Sequence, residues 1–205
     1  MVKTNLKAVW ERVYATKGEA GVSWYQAEPR RSFELIESLA PSSGRIIDVG
    51  GGASVLVDRL LDLPFAKVAV LDISETALAK AQSRLGDRAG RVDWITADVT
   101  EIQDIGTFDV WHDRAVFHFL TDESDRKLYT ELAARSLPPG GFLIIACFAV
   151  DGPTRCSDLD VRRYDKASLS AELGDAFEFV TESRETHMTP WNAPQSFFYG
   201  VFRRR

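Results

Sequence analysis

The chain has 205 residues, a length that suits one core-forming domain. A net charge of −5 and a pI near 5.3 argue against a surface built to hold nucleic acid or an anionic membrane. Two cysteines, Cys147 and Cys156, are too few for a disulfide framework, and no apolar run reaches membrane-spanning length. Cys147 lies inside the apolar run from Phe142 to Val150 and reads as core. The opening Met1-Val2-Lys3-Thr4-Asn5 carries no apolar signal region, so a reduced, cytoplasmic setting is expected.

From Asn5 to about Lys17, Leu6, Val9, Trp10 and Val13 recur at helical spacing. Trp24 and Tyr25 follow a glycine-rich turn, and a second helix is predicted from Pro29, a residue suited to a first helical turn. Pro41-Ser42-Ser43-Gly44 then breaks the chain. Beyond it, apolar runs of strand length (residues 45–49, 67–71, 92–96, 108–111 and 142–148) alternate with helical patterns at 54–63, 74–85 and 123–137. Such alternation is the signature of a parallel sheet covered on both faces. A helix near 166–173 precedes two strand-like runs, 176–184 and 195–203, with no helix between them, so these pair antiparallel.

The expected fold is therefore α/β, a doubly wound, seven-stranded, mostly parallel sheet ending in an antiparallel hairpin. Its expected organisation is one domain over 1–205, with an N-terminal helical cover (1–44), a cofactor-binding core (45–148) and a substrate-side helix with closing hairpin (149–205). Arg203-Arg204-Arg205 reads as a solvated tail.

The segment Ile46-Ile47-Asp48-Val49-Gly50-Gly51-Gly52-Ala53-Ser54 follows a strand and opens a helix, the context that gives a glycine loop meaning. Glycines let a ligand approach the backbone, and N–H groups at the helix start hold an anion. The dinucleotide spacing G-x-G-x-x-G fails, because Val55 stands where the third glycine would fall. Asp48, just before the glycines, repels a pyrophosphate and attracts a cationic ligand. Asp72 ends the second strand, where a carboxylate accepts hydrogen bonds from ribose hydroxyls, and Ser74 reads as the cap of the next helix. Asp98 and Val99 follow the third strand.

Asp48, Gly50 and Gly52, with Ser54 in place of the third glycine as a helix cap, resemble the acidic-x-Gly-x-Gly-x-Gly motif of class I S-adenosylmethionine (SAM)-dependent methyltransferases. The resemblance spans roughly Arg45 to Phe148, with Pro138-Pro139-Gly140-Gly141 as that family's turn into its fifth strand. It implies SAM as cofactor, held by Asp48, Gly50, Gly51, Gly52, Asp72, Ile73, Asp98, Val99 and Asp113, with Asp98 on the adenine amino group.

In an open parallel sheet, ligands sit outside the carboxyl strand ends, so the loop after the fourth strand borders the transferred methyl. Asp113, Arg114 and His118 are its candidate catalytic residues. Asp113-Arg114-Ala115, Arg126, Tyr129, Leu132, Leu137, Gly140-Gly141 and Gly152-Pro153 resemble the thiopurine and chalcogen S-methyltransferase branch more loosely. Thr154-Arg155-Cys156-Ser157 departs from the apolar run that branch carries after its Gly-Pro. The resemblance implies a small-molecule acceptor, a thiol or other chalcogen. A protein lysine methyltransferase and a non-catalytic SAM sensor are the alternatives.

Arg155, Arg162 and Arg163 lie in a segment read either as an attractor for an anionic acceptor or as a solvated loop. Trp191 reads as a lid aromatic or a cover for the core. Trp10, Tyr14, Trp24 and Tyr25 read either as a cover that closes over the cofactor or as a segment that only packs on the core. No metal site is expected, since His112, His118 and His187 show no ligand spacing with the cysteines.

Overall fold

The computed structural model describes residues 5–205, and the reading of Met1–Thr4 as free of a leader falls outside them. Alternation of strand and helix after Gly44 produces the strands β1 (Arg45–Val49), β2 (Lys67–Asp72), β3 (Val92–Thr96), β4 (Val110–Arg114) and β5 (Phe142–Phe148). A two-stranded ribbon, β6 (Arg155–Cys156) with β7 (Leu159–Asp160), stands apart. The chain ends in β8 (Phe177–Met188) and β9 (Pro194–Arg204). The main sheet has the order β3-β2-β1-β4-β5-β9-β8. Its first five strands run parallel, and β9 pairs antiparallel with both β5 and β8. This is the expected doubly wound sheet with its antiparallel close.

The helices are α1 (Leu6–Thr16), α2 (Arg30–Leu39), α3 (Leu56–Leu60), α4 (Glu75–Leu85), α5 (Glu123–Ser136) and α6 (Lys166–Leu173). Strand alternation divides the core in two. Ile46, Val110, Ile144 and Val201 face Ile36 of α2, Leu56 of α3 and Leu78 of α4. Ile47, Trp111, Leu143 and Phe202 face Leu132 of α5 and Leu169 of α6. Each such side chain, fully buried, is worth roughly 1.5–3 kcal/mol, which is what holds helices of only a few turns in place. Short polar side chains set the helix starts. Asn5 Oδ1 accepts from Ala8 N–H at 3.0 Å, Ser74 Oγ from Ala77 N–H at 3.1 Å, and Asp165 with Ser168 forms a reciprocal capping box.

Several boundaries differ from those predicted. Pro29 is the cap residue just before α2. The helix predicted over 54–63 contracts to Leu56–Leu60, because tight turns carry Leu61 to Leu63 into Pro64, which disfavours helix before it. Ser54 lies one residue before the cap position, yet its Oγ still accepts from Leu56 N–H at 3.1 Å.

The fourth strand starts later and runs through His112, Asp113 and Arg114, whose polar side chains find partners within the fold. The final hairpin is longer than predicted. Met188 pairs with Pro194, and a short turn at 189–193, with Asn192 at φ 64°, replaces the long connection. Trp191, at that tip, is 59% exposed and serves neither as lid nor as core cover. The C-terminal arginines are not a solvated tail: Arg203 and Arg204 belong to β9, and Arg204 donates to the carbonyls of Ala134 and Ala176. No helix among the described residues is long and apolar enough to cross a membrane.

Candidate active site

The chain leaves β1 toward β2 and β3 on one side, whereas β4 and β5 lie on the other, so the loops after β1 and β4 diverge. A cleft opens outside the carboxyl ends of the strands at this switch point. Gly50 lies at its floor with φ 71°, and a Cβ there would stand 2.0 Å from Val116 Cγ2, so no other residue fits. The loop threads between two acids. A Cβ on Gly51 would lie 2.6 Å from Asp48 Oδ2, and one on Gly52 would lie 2.8 Å from Asp72 Oδ2.

Asp48 is buried at the end of β1, and its Oδ1 sits 2.7 Å from Nδ1 of His112, its partner in register on β4. Asp72 ends β2 and accepts Ser74 N–H at 2.8 Å. Burial, assisted by the nearby carboxylates of Asp48 and Glu11, pushes its pKa up to about 7. Asp98 turns its Oδ1 to Thr100, accepting the backbone N–H at 2.8 Å and the hydroxyl at 2.7 Å. Asp72, Ile73, Asp98 and Val99 all line the same cavity, under Trp10, Tyr14 and Trp24. A second cavity adjoins it, lined by Asp48, Gly51, His112, Tyr25 and Ser32. Tyr14, Trp24, Gly50 and Arg114 border both.

The aromatic cover is held by polar ends and edge-on rings. Trp10 meets Trp24 at 5.5 Å and Phe119 at 5.0 Å between centroids, both edge-on, and Trp24 Nε1 donates to Tyr14 Oη at 3.3 Å. Glu11 accepts the first N–H groups of α4, from Glu75 at 2.6 Å and Thr76 at 3.3 Å. An acid at a helix N-terminus is stabilising. Lys80, farther along α4, donates to the carbonyls of Tyr14 and Lys17 at the end of α1.

The three residues expected at the reaction centre separate. Arg114 reaches the cleft, its Nε donating to Tyr199 Oη at 3.2 Å and its Nη1 to the carbonyl of Trp24 at 3.1 Å. The guanidinium carbon lies 4.4 Å from the centre of the Phe197 ring, and Nη2, although buried, has no hydrogen-bond partner. Asp113 points to the opposite face of the sheet, since neighbouring strand residues alternate. It accepts Val116 N–H at 2.9 Å, Phe117 N–H at 3.1 Å and Tyr129 O–H at 2.7 Å, and burial pushes its pKa up to about 6. These bonds fix a turn in which Ala115 takes φ 72°.

His118 is enclosed between the rings of Phe119 and Phe148, and its Nδ1 accepts Phe148 N–H at 3.3 Å. Burial, with Arg114 near, pushes its pKa down to about 3, so the ring stays neutral. Neither Asp113 nor His118 lines either cavity. The arginines of the 152–164 segment are tied elsewhere as well: Arg155 to Asp160, Arg162 to Glu172, and Arg163 to the carbonyl of Gly152. Cys156 of that segment does border the cleft.

Cavity-lining His112 and Cys156, and Glu11 at the start of α4, are not among the residues that the sequence points to. For His112 a signal existed: a polar residue in a buried parallel strand must find a partner. Glu11 and Cys156 depend on segments that fold back over the sheet, and nothing local marks them.

Compared with known proteins, residues 46–141 match the family model described as a methyltransferase domain. That match runs from β1 to the turn before β5. The chain is 27% identical over 136 residues to the eEF1A lysine and N-terminal methyltransferase of Danio rerio, covering 64% of this chain and 20% of that protein. The chain thus spans about a fifth of the length of that curated relative. Its fold is shared with a protein solved in work on the conversion of a disulfide bond into a thioacetal group during echinomycin biosynthesis. That likeness has 19% identity, 97% of this chain, 92% of the other and a TM-score of 0.79. It is shared as well with the Burkholderia thailandensis 1,6-didemethyltoxoflavin-N1-methyltransferase, solved with S-adenosylhomocysteine (19% identity, 97% and 87% coverage, TM-score 0.72).

Proposed function

We propose that the protein transfers the methyl group of SAM to a small-molecule acceptor that arrives already ionised, a thiolate or a related chalcogen anion. The observation that carries this reading is the unpartnered Nη2 of Arg114 at the cleft, with Asp113 and His118 both turned away from it. The nucleoside of SAM suits the cavity of Asp72 and Asp98, and its amino-acid tail suits that of Asp48. Tyr14, Trp24, Gly50 and Arg114, which border both cavities, would surround the sulfonium that joins nucleoside and tail.

An in-line displacement needs alignment and desolvation more than covalent help. A hydroxyl or ammonium acceptor needs a positioned base, and Asp113 and His118 do not face the cleft, while His112 lines only the cavity on the Asp48 side. A thiol, with a reference pKa of about 8.5, is partly ionised near neutrality without one. Arg114 would hold such an anion between itself and the sulfonium, and the edges of Trp10, Trp24 and Phe119 would exclude water. SAM, when bound, would supply the methyl group to the sulfur nucleophile, and the electron pair of its broken carbon–sulfur bond would leave on S-adenosylhomocysteine. Burial holds the Tyr14 hydroxyl far above its usual range, so it remains a donor rather than a base.

The curated relative favours a second reading, transfer to a protein lysine or N-terminus. Arg114 opposes it, because a guanidinium beside the acceptor position repels an incoming ammonium. Labelled SAM supplied with a panel of thiols and selenols, and separately with cell lysate, tests the two. Labelled small thioethers are expected, and they should be lost in Arg114→Met with S-adenosylhomocysteine binding kept. Labelled protein bands without any small product would sink the small-molecule reading.

A further inference from the structure

Parallel pairing of β1 with β4 sets Asp48 beside His112, and their side chains meet at 2.7 Å between Oδ1 and Nδ1. With Nδ1–H as the donor to Asp48, a neutral ring presents a bare lone pair at Nε2. His112 is 1% exposed, its Nε2 has no hydrogen-bond partner, and the residue lines the cavity on the Asp48 side of the glycine loop. An enclosed acceptor without a donor is costly, so a ligand that supplies an N–H there binds more tightly by removing that cost.

We propose that His112 is a cofactor-binding residue for the amino-acid tail. Its Nδ1–H aims the Asp48 carboxylate at the tail's ammonium, and its Nε2 accepts a second N–H from the same group. An ammonium carries three N–H bonds, more than one carboxylate oxygen satisfies, and the two acceptors stand on adjacent strands of a rigid sheet. Gly51 completes the arrangement, because its missing side chain leaves Asp48 Oδ2 free to face the loop. The proposal rests on reading the cleft as a SAM site.

Titration calorimetry with S-adenosylhomocysteine and with 5′-methylthioadenosine, a thioether nucleoside without the tail, separates the two claims. His112→Asn keeps an N–H for Asp48 but places no acceptor at Nε2, and should weaken S-adenosylhomocysteine about tenfold. His112→Phe removes both contacts and should weaken it about a hundredfold. Neither substitution should change 5′-methylthioadenosine, and that contrast is what a general loosening of the fold would not produce. Wild-type protein that binds neither compound overturns the SAM reading itself. Wild-type protein that binds both, with variants that lose neither or lose the two in step, overturns the role of His112 alone. A measurement without substitution stands beside these: nitrogen-15 spectra of the imidazole should show Nε2 unprotonated and shifted by S-adenosylhomocysteine but not by 5′-methylthioadenosine. An unshifted Nε2 overturns the proposal.

Discussion

Replacing Gly50 with alanine tests how tightly the glycine loop is built into the sheet. The residue has φ 71°, where an L side chain costs about 1–2 kcal/mol. The added Cβ would stand 2.0 Å from Val116 Cγ2, far inside the roughly 3.5–4.0 Å at which carbons attract. Relief requires Val116 to move, and forced repacking of this kind costs about 1–3 kcal/mol. Gly50→Ala should therefore lose about 2–5 kcal/mol, a large share of the roughly 5–15 kcal/mol that holds a typical domain folded.

The geometry also names its own remedy. Val116→Ala deletes Cγ2 and leaves Val116 Cβ at 3.5 Å from the new methyl, an ordinary contact. In the double variant only the backbone cost of Gly50→Ala remains, so the two substitutions should couple favourably by about 1–3 kcal/mol. Urea denaturation of the four proteins measures that coupling, with unchanged slopes required before midpoints are compared. A coupling near zero would show that the loop yields elsewhere and refute the argument from Val116.

Two further outcomes are expected. Asp72 keeps its proton to about pH 7 in the native state, whereas an unfolded aspartate releases it near pH 4. Its contribution to stability is thus fully present below about pH 4 and lost as pH rises through about 7. Ribose hydroxyls need the ionised form as acceptor, so S-adenosylhomocysteine affinity should rise between about pH 6 and 8 and flatten in Asp72→Asn; a flat wild-type profile counts against this. Tyr129→Phe removes the hydroxyl that accepts from Trp111 Nε1 at 2.9 Å and donates to Asp113 at 2.7 Å. Both partners are buried, so the loss should be about 1–3 kcal/mol in denaturant melts, and a change below about 0.5 kcal/mol would show the network to be dispensable.

The residues that resemble the chalcogen branch acquire a physical meaning in the structure. Tyr129 holds Asp113, and Arg126 ties Glu172 to the carbonyls of Leu120 and Thr121. Leu132 and Leu137 are buried in the core beneath the same turn. They form scaffold for the 113–121 segment, so their identity speaks to how that turn is held more than to which acceptor it meets.

The local sequence alone determined the sheet and which residues its strand ends present. Apolar runs at strand length, glycines at the first strand end and an acid closing each of β1 and β2 are short-range features, and parallel pairing turns them into one row of strand ends. Tertiary structure decided the rest. Asp113, Arg114 and His118 lie within six residues, yet strand alternation and the turn at Ala115 send one to the cleft and two into the core. His112 meets Asp48 only because β4 lands beside β1, 64 residues away in the chain. Glu11 meets the start of α4, and Cys156 borders the cleft, through segments distant in the chain from the strand ends. Such long-range contacts depend on which faces meet, and neither periodicity nor spacing within a segment carries that information.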